Sequence, residues 1–159
     1  MPKDMALEVV PRAKWGALPP KNEGVELEHP IEFIWLRSEP EMRPCLTQEK
    51  CIKACQTLQK RDMEAPKCID INANFIIGDD GRIYEGRGLF VKPRKSKEFP
   101  KYDGEYIEIV YIGPLDDCPE EPNGQRVYNL VFDIIEYAVP KRYMIEEVAF
   151  LGDPPPWLK

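Results

Sequence analysis

Asn74-Phe75-Ile76-Ile77-Gly78-Asp79-Asp80-Gly81-Arg82-Ile83-Tyr84-Glu85-Gly86-Arg87-Gly88 is the stretch on which the fold turns. Two short runs rich in Phe, Ile and Tyr flank Gly78-Asp79-Asp80-Gly81. Asp and Gly tolerate the positive φ values of a tight reversal, so the stretch reads as a β-hairpin. Side chains alternate along a strand, which sets Phe75 and Ile77 on one face and Asn74 and Ile76 on the other. Arg87 between two glycines marks a place where the backbone turns sharply or lies close to another segment.

On the N-terminal side, Ala65-Pro66-Lys67 links into Ile69-Asp70-Ile71. Before that link, Thr47 is a good helix N-cap, with Lys50 where a capping box would prefer Glu. Cys51, Ile52, Cys55, Leu58 and Gln59 form a helical stripe that fades near Arg61-Asp62. Ile31 to Leu36 predicts a strand buried on both faces toward its end, and Ser38 to Pro44 a loop. Residues 1–30 read as an irregular, proline-rich arm whose Trp15 plugs the core from outside.

On the C-terminal side, Glu105 to Gly113 is the strongest strand signal in the chain. It sets Ile107, Ile109 and Tyr111 on one side and Tyr106, Glu108, Val110 and Ile112 on the other. Pro114 to Asn123 is an acidic loop. Gly124-Gln125 opens a second helix whose apolar face runs Val127, Leu130, Val131, Ile134, Ile135 and Ala138, and Pro140 ends it. Ile145 to Phe150 is a short apolar segment, and Asp153 to Trp157 a stiff tail. The order β, α, β-hairpin, β, α predicts an α/β domain with a central mixed sheet flanked by helices. It divides into an arm at 1–30, a core at 31–153 and a tail at 154–159.

At 159 residues the chain suffices for one sizeable core. A net charge of −6 argues against a phosphate-backbone footprint, so nucleic acid is not an expected partner. The local basic run Lys92-Pro93-Arg94-Lys95-Ser96-Lys97, with Lys101, reads as a solvated loop. No apolar run reaches membrane-spanning length, and the N-terminus has no secretory apolar stretch. That leaves either a cytosolic protein or an excised ectodomain.

Five cysteines, at 45, 51, 55, 68 and 118, are an odd count. In an oxidising compartment they predict two disulfides and one remaining thiol, with Cys45 and Cys51 closing a short loop ahead of the first helix. In a reducing one they would be buried thiols. Cys51 and Cys55 share a helix face, but with His29 the sole histidine and no Cys-x-x-Cys they make a poor metal site.

Taken together, several stretches resemble the peptidoglycan recognition protein family. Val10-Pro11-Arg12-Ala13-Lys14-Trp15-Gly16-Ala17-Leu18-Pro19-Pro20 is similar to its opening motif. Cys45 to Cys51 is similar to its short disulfide loop, which implies a Cys45–Cys51 bond and leaves Cys55, Cys68 and Cys118 unassigned. Asp70-Ile71-Asn72-Ala73-Asn74-Phe75 corresponds to the family's Asp-Ile-Gly-Tyr-Asn-Phe, and Gly78 to Gly88 to its Gly-x-Asp-Gly-x-x-Tyr-x-Gly-Arg-Gly. Ile107 to Gly113, Tyr137-Ala138-Val139 and Arg142-Tyr143 continue the match in order, over roughly residues 8–153.

The resemblance implies an amidase-like fold and an innate-immunity role in an extracellular or receptor-ectodomain setting. In catalytic members a zinc ion activates water to cut the amide between muramic acid and the stem peptide, which needs three ligands and an open position. Here Trp35 stands at the first ligand position and Asp153 at the second; the third has no counterpart, and the active-site Tyr aligns with Ala73. An indole cannot bind zinc. His29 reads as a loop residue rather than a displaced ligand. The expectation is therefore no zinc and no amidase activity. The groove of zinc-free members is also altered: Lys67-Cys68 replaces Gly-Trp or Asn-Phe, Leu89 a Trp, and Pro93-Arg94-Lys95 the Gly-Ala-His wall. Trp35 and Leu36 are expected to plug the floor. The remodelled groove suggests contact with another recognition protein or immune receptor, and the alternative is peptidoglycan binding through Arg94, Lys95 and Lys97.

Overall fold

The computed structural model describes residues 6–94, 97–115 and 122–152. The elements run β1 (Val9–Val10), α1 (Arg12–Trp15), β2 (Ile31–Glu39), α2 (Gln48–Met63), β3 (Phe75–Ile77), β4 (Ile83–Glu85), β5 (Ile107–Ile112), α3 (Pro122–Ala138) and β6 (Met144–Phe150), with a one-turn 3-10 helix at Pro100–Tyr102 before β5. The strands form one mixed sheet in the order β1-β4-β3-β5-β2-β6. Among the described strand pairs, the β3–β4 hairpin alone is antiparallel. Parallel neighbours need crossovers, and α2 joins β2 to β3 while α3 joins β5 to β6.

Each face of the sheet carries its own core. Ile34, Leu36, Phe75, Ile77, Ile83, Ile107, Ile109 and Tyr111 pack with Val127, Val131, Ile134 and Ala138 of α3. Ile76, Tyr84, Val110 and Ile112 pack with Cys51, Cys55 and Leu58 of α2, and with Trp15. The alternation expected for the hairpin and for β5 is the observed one. A strand covered on both faces reads as a nearly unbroken apolar run, which is why Ile107 to Ile112 gave so strong a signal.

The hairpin closes through a loop between Ile77 and Ile83, which pair across the strands, with Gly81 at φ +78°. Gly86 lies so near the Ala73 carbonyl that a Cβ there would stand 2.1 Å from its oxygen. The Gly-Arg-Gly ending is thus a close backbone approach. Between the glycines, the Arg87 guanidinium donates to the Ile71 carbonyl at 2.7 Å and the Lys92 carbonyl at 2.9 Å.

Several boundaries differ from expectation. The arm contains a strand and a helical turn, because Val9 and Val10 pair with Ile83 and Tyr84. Trp15 is fully buried, with its indole N–H donating to the Glu85 carbonyl at 2.8 Å. β2 continues past Arg37 through Ser38 and Glu39, two residues expected in a loop, because Ile34 to Glu39 pair with β5. The segment 144–150 is a full strand beside β2. α2 begins as expected: Thr47 Oγ1 accepts the Lys50 N–H at 3.2 Å.

Candidate functional site

The sheet face that carries α2 is open to other segments where β2 and β5 run beyond the helix. Trp35 and Arg37 of β2 and Glu108 of β5 lie there, with Trp35 paired to Glu108 in register. Trp35 is 7% exposed and belongs to a small third cluster with Tyr106, Leu151, Phe33, Phe99 and Tyr102. Phe99 meets the indole edge-on at 5.0 Å, and Tyr102 lies 4.7 Å from Phe33. The segment after Gly-Arg-Gly thus folds back and covers Trp35 with its own aromatic side chains. Arg94, Lys97 and Lys101 of the basic run stay exposed, and it is Phe99 and Tyr102, not these side chains, that form the cover.

Next to Trp35 runs a ladder of charges. Arg61 at the end of α2 grips Glu39 with both nitrogens, at 2.8 and 3.1 Å. Glu39 also accepts from Arg37, and the Arg37 Nε donates to Glu108 Oε2 at 2.7 Å. The Arg37 guanidinium lies 5.6 Å from the Trp35 ring centre. Glu108 is fully buried, and its Oε1 has no hydrogen-bond partner among the described residues. Burial pushes the Glu108 carboxyl up; Arg37 and, more weakly, Arg94 pull it back without cancelling the rise.

Burial also pushes Glu39 up, but the hydrogen bonds and charges of Arg61 and Arg37 outweigh it and leave it at about 2. Its folded value lies below its ordinary one, so its contribution to stability is complete above the ordinary value of 4.5 and is lost as pH falls toward about 2. Glu108 has the opposite sign, and its cost grows as pH rises above its ordinary value. Thermal unfolding between pH 5 and about 2.5 should therefore show a shallower acid loss for Glu39→Gln than for the unaltered protein. Equal slopes would remove Glu39 from the acid response.

The residues expected at the groove separate into distinct places. Trp35 and Ala73 are buried on the α2 side. Leu36 is not part of that floor: it follows Trp35 in an alternating strand and packs in the α3-side core. Leu89 is buried in that same core. Lys67 and Arg94 are exposed, while Lys95, Asp153, Cys118 and the tail 154–159 lie outside the described residues. Among the described residues no group of three or more His, Cys, Asp and Glu side chains is placed to hold a metal ion. A disulfide joins Cys45 and Cys51, which rules out Cys51 and Cys55 as a ligand pair. Cys55 and Cys68 are buried thiols, and burial pushes Cys55 up to about 12, where it is inert. His29 is a loop residue whose Nε2–H donates to the Leu89 carbonyl at 2.7 Å.

Glu108, Arg37 and Glu39 are site residues that sequence reasoning missed. The available signal was a lone acid in the middle of the most apolar strand.

No family model matches the chain. Among curated proteins, peptidoglycan recognition protein 1 of Rattus norvegicus is 33% identical over 142 residues, covering 89% of this chain and 73% of the relative. The chain belongs to the peptidoglycan recognition protein family. Peptidoglycan-recognition protein LC of Drosophila melanogaster is 34% identical over 109 residues, 69% of the chain and 21% of that relative. An N-acetylmuramoyl-L-alanine amidase of Mus musculus is 32% identical over 79 residues, 49% of the chain. The chain spans between 21% and 56% of the length of several of these family relatives. Among solved structures, the ectodomain of the Drosophila transmembrane receptor PGRP-LCa superposes with a TM-score of 0.78 at 26% identity, over 90% of this chain and 83% of that one. The PGRP-LCa–PGRP-LCx ectodomain complex with bound tracheal cytotoxin gives 0.77 at 22% identity, over 90% and 82%, and shares the family fold. No described helix is long and apolar enough to cross a membrane.

Proposed function

We propose that this family domain is a non-catalytic module of innate immune sensing or regulation, acting through contacts with immune receptors and not by amide hydrolysis. The observation that carries the reading is Trp35, a buried indole under Phe99, which the sequence resemblance aligns with the family's first zinc ligand. An indole nitrogen has its lone pair tied into the ring, so the pair cannot be given to a metal. The residues present do not fit zinc. A receptor or secreted setting is supported by the Cys45–Cys51 disulfide and by the likeness to a receptor ectodomain. In a solved family complex tracheal cytotoxin, a monomeric diaminopimelic acid-type peptidoglycan, is bound to the ectodomain complex of two recognition proteins, which supports another recognition protein as partner.

Elemental analysis of the purified protein incubated with equimolar zinc and desalted should find well under one zinc per chain, with no release of stem peptide from muropeptides. Stoichiometric zinc or amide cleavage would overturn the reading.

A second reading, zinc-free peptidoglycan binding, rests on Arg94. It is exposed and forms no ion pair with a described residue, so its guanidinium is available to a ligand carboxylate in bidentate fashion. Calorimetric titration with lysine-type and diaminopimelate-type muropeptides separates the two readings: saturable binding lost in Arg94→Ala favours the second.

A further inference from the structure

We propose that the cleft at the β1 margin of the sheet binds a short extended peptide carrying an acidic residue next to a basic one. Three strands separate β1 from β2, which carries Trp35. The inference therefore goes beyond the reading of the groove and stands whether or not that reading holds. The cleft encloses about 680 Å³, within the range of sites that hold a small ligand. Its walls come from both layers: Lys14 and Gln48 on the α2 side, Leu130, Asp133 and Tyr137 of α3 on the other. It thus wraps round the edge of the sheet, with β1 at its centre.

That edge supplies a backbone amide. β1 runs parallel to β4, with Val9 opposite Ile83 and Val10 opposite Tyr84. In such a pair alternate residues turn both N–H and C=O toward the neighbouring strand. Pro11 has no N–H to give, so Val10 is the residue turned toward β4. The N–H and C=O of Val9 then point outward, into the cleft that Val9 lines. One residue cannot add a strand by itself, but it sets the register of a peptide laid along it.

Charge selects the peptide. Side chains of an extended segment alternate, so neighbouring ligand residues enter the two halves of the cleft. On the α2 side Lys14 and Arg82 outnumber Glu8, and Lys14 forms no ion pair with a described residue. On the α3 side Asp133 is exposed and likewise has no ion pair with a described residue. Burial pushes its carboxyl up, with no base offsetting the rise. Lys141 lies over the Tyr137 ring at 5.1 Å but does not line the cleft. A peptide carboxylate suits Lys14, and a lysine ammonium suits Asp133 while its stem covers Leu130. A polyanion would be opposed by Asp133, and a polycation by Lys14 and Arg82.

Calorimetric titration with the blocked hexapeptide acetyl-Thr-Val-Glu-Lys-Val-Thr-amide tests this, with circular dichroism to confirm that each variant is folded. The expected result is saturable one-to-one binding, weakened roughly tenfold or more when the two central backbone nitrogens are methylated. Asp133→Lys should weaken the Glu-Lys peptide by a similar factor and bind its Glu-Glu counterpart more tightly than the unaltered protein does. Lys14→Glu should in turn favour the Lys-Lys counterpart. These gains cannot come from a variant that has lost its fold. No saturable binding at millimolar peptide would overturn the proposal. So would equal binding of the methylated peptide, or an unchanged preference in Asp133→Lys.

Discussion

Replacing Arg37 with Ala should lower the unfolding free energy by about 3–5 kcal/mol, the usual cost of stranding one partner of a buried ion pair. Glu108 is completely buried in the middle of β5, and Arg37 is the hydrogen-bonding cation it has. Glu39 would keep its grip on Arg61, so the loss falls on Glu108. Urea unfolding measures the change. The double substitution Arg37→Met with Glu108→Leu should recover most of it, because exchanging a buried pair for apolar side chains is often neutral or stabilising. A loss under about 1 kcal/mol in Arg37→Ala would mean that the pair is not a buried ionic one.

Asn74→Asp should be nearly as damaging although it changes no volume. The Asn74 side chain is fully buried and works in three directions. Its Nδ2 donates to the carbonyls of Gly88 and Val91, each at 2.8 Å. Its Oδ1 accepts the Glu108 N–H at 2.7 Å. Aspartate keeps only the last of these and points a second buried carboxylate at two carbonyl oxygens. Two buried acceptors left unmade cost about 1–3 kcal/mol each, so about 4 kcal/mol in total is expected from urea unfolding. Hydrogen exchange should also show the segment 86–92 opening before the rest of the sheet. A variant as stable as the unaltered protein, with 86–92 still protected, would show that this side chain does not hold the segment.

What was legible in the chain follows from how local each signal is. The hairpin, β5, the Thr47 cap and the apolar face of α3 are written in neighbouring residues, and alternation assigned Phe75, Ile77, Ile107 and Ile109 to the correct layer. Alternation, applied to β2, would also have removed Leu36 from the groove floor. Ser38 and Glu39 looked like a loop because polar and charged residues are rare within strands; the partners of Glu39 and of Arg37 beside it, Arg61 and Glu108, are 22 and 71 positions away. The 144–150 strand was obscured because Glu146 and Glu147 face solvent at the sheet's edge. The aromatic cover over Trp35 was invisible, since nothing local in Phe99 or Tyr102 says that they fold back onto β2.

The short pairing of Val9 and Val10 with Ile83 and Tyr84 has a consequence for handling the protein. β4 would otherwise end the sheet with a row of unpaired backbone groups, a template for strand addition by another molecule. Two residues are too few to serve as a template themselves, and at the other margin Glu146 and Glu147 discourage pairing by charge. A version of the chain trimmed to begin after Trp15 would lose the guard on β4, along with Trp15 from the core. Its first failing would be insolubility: chains joining edge to edge, at concentrations where the untrimmed protein stays clear.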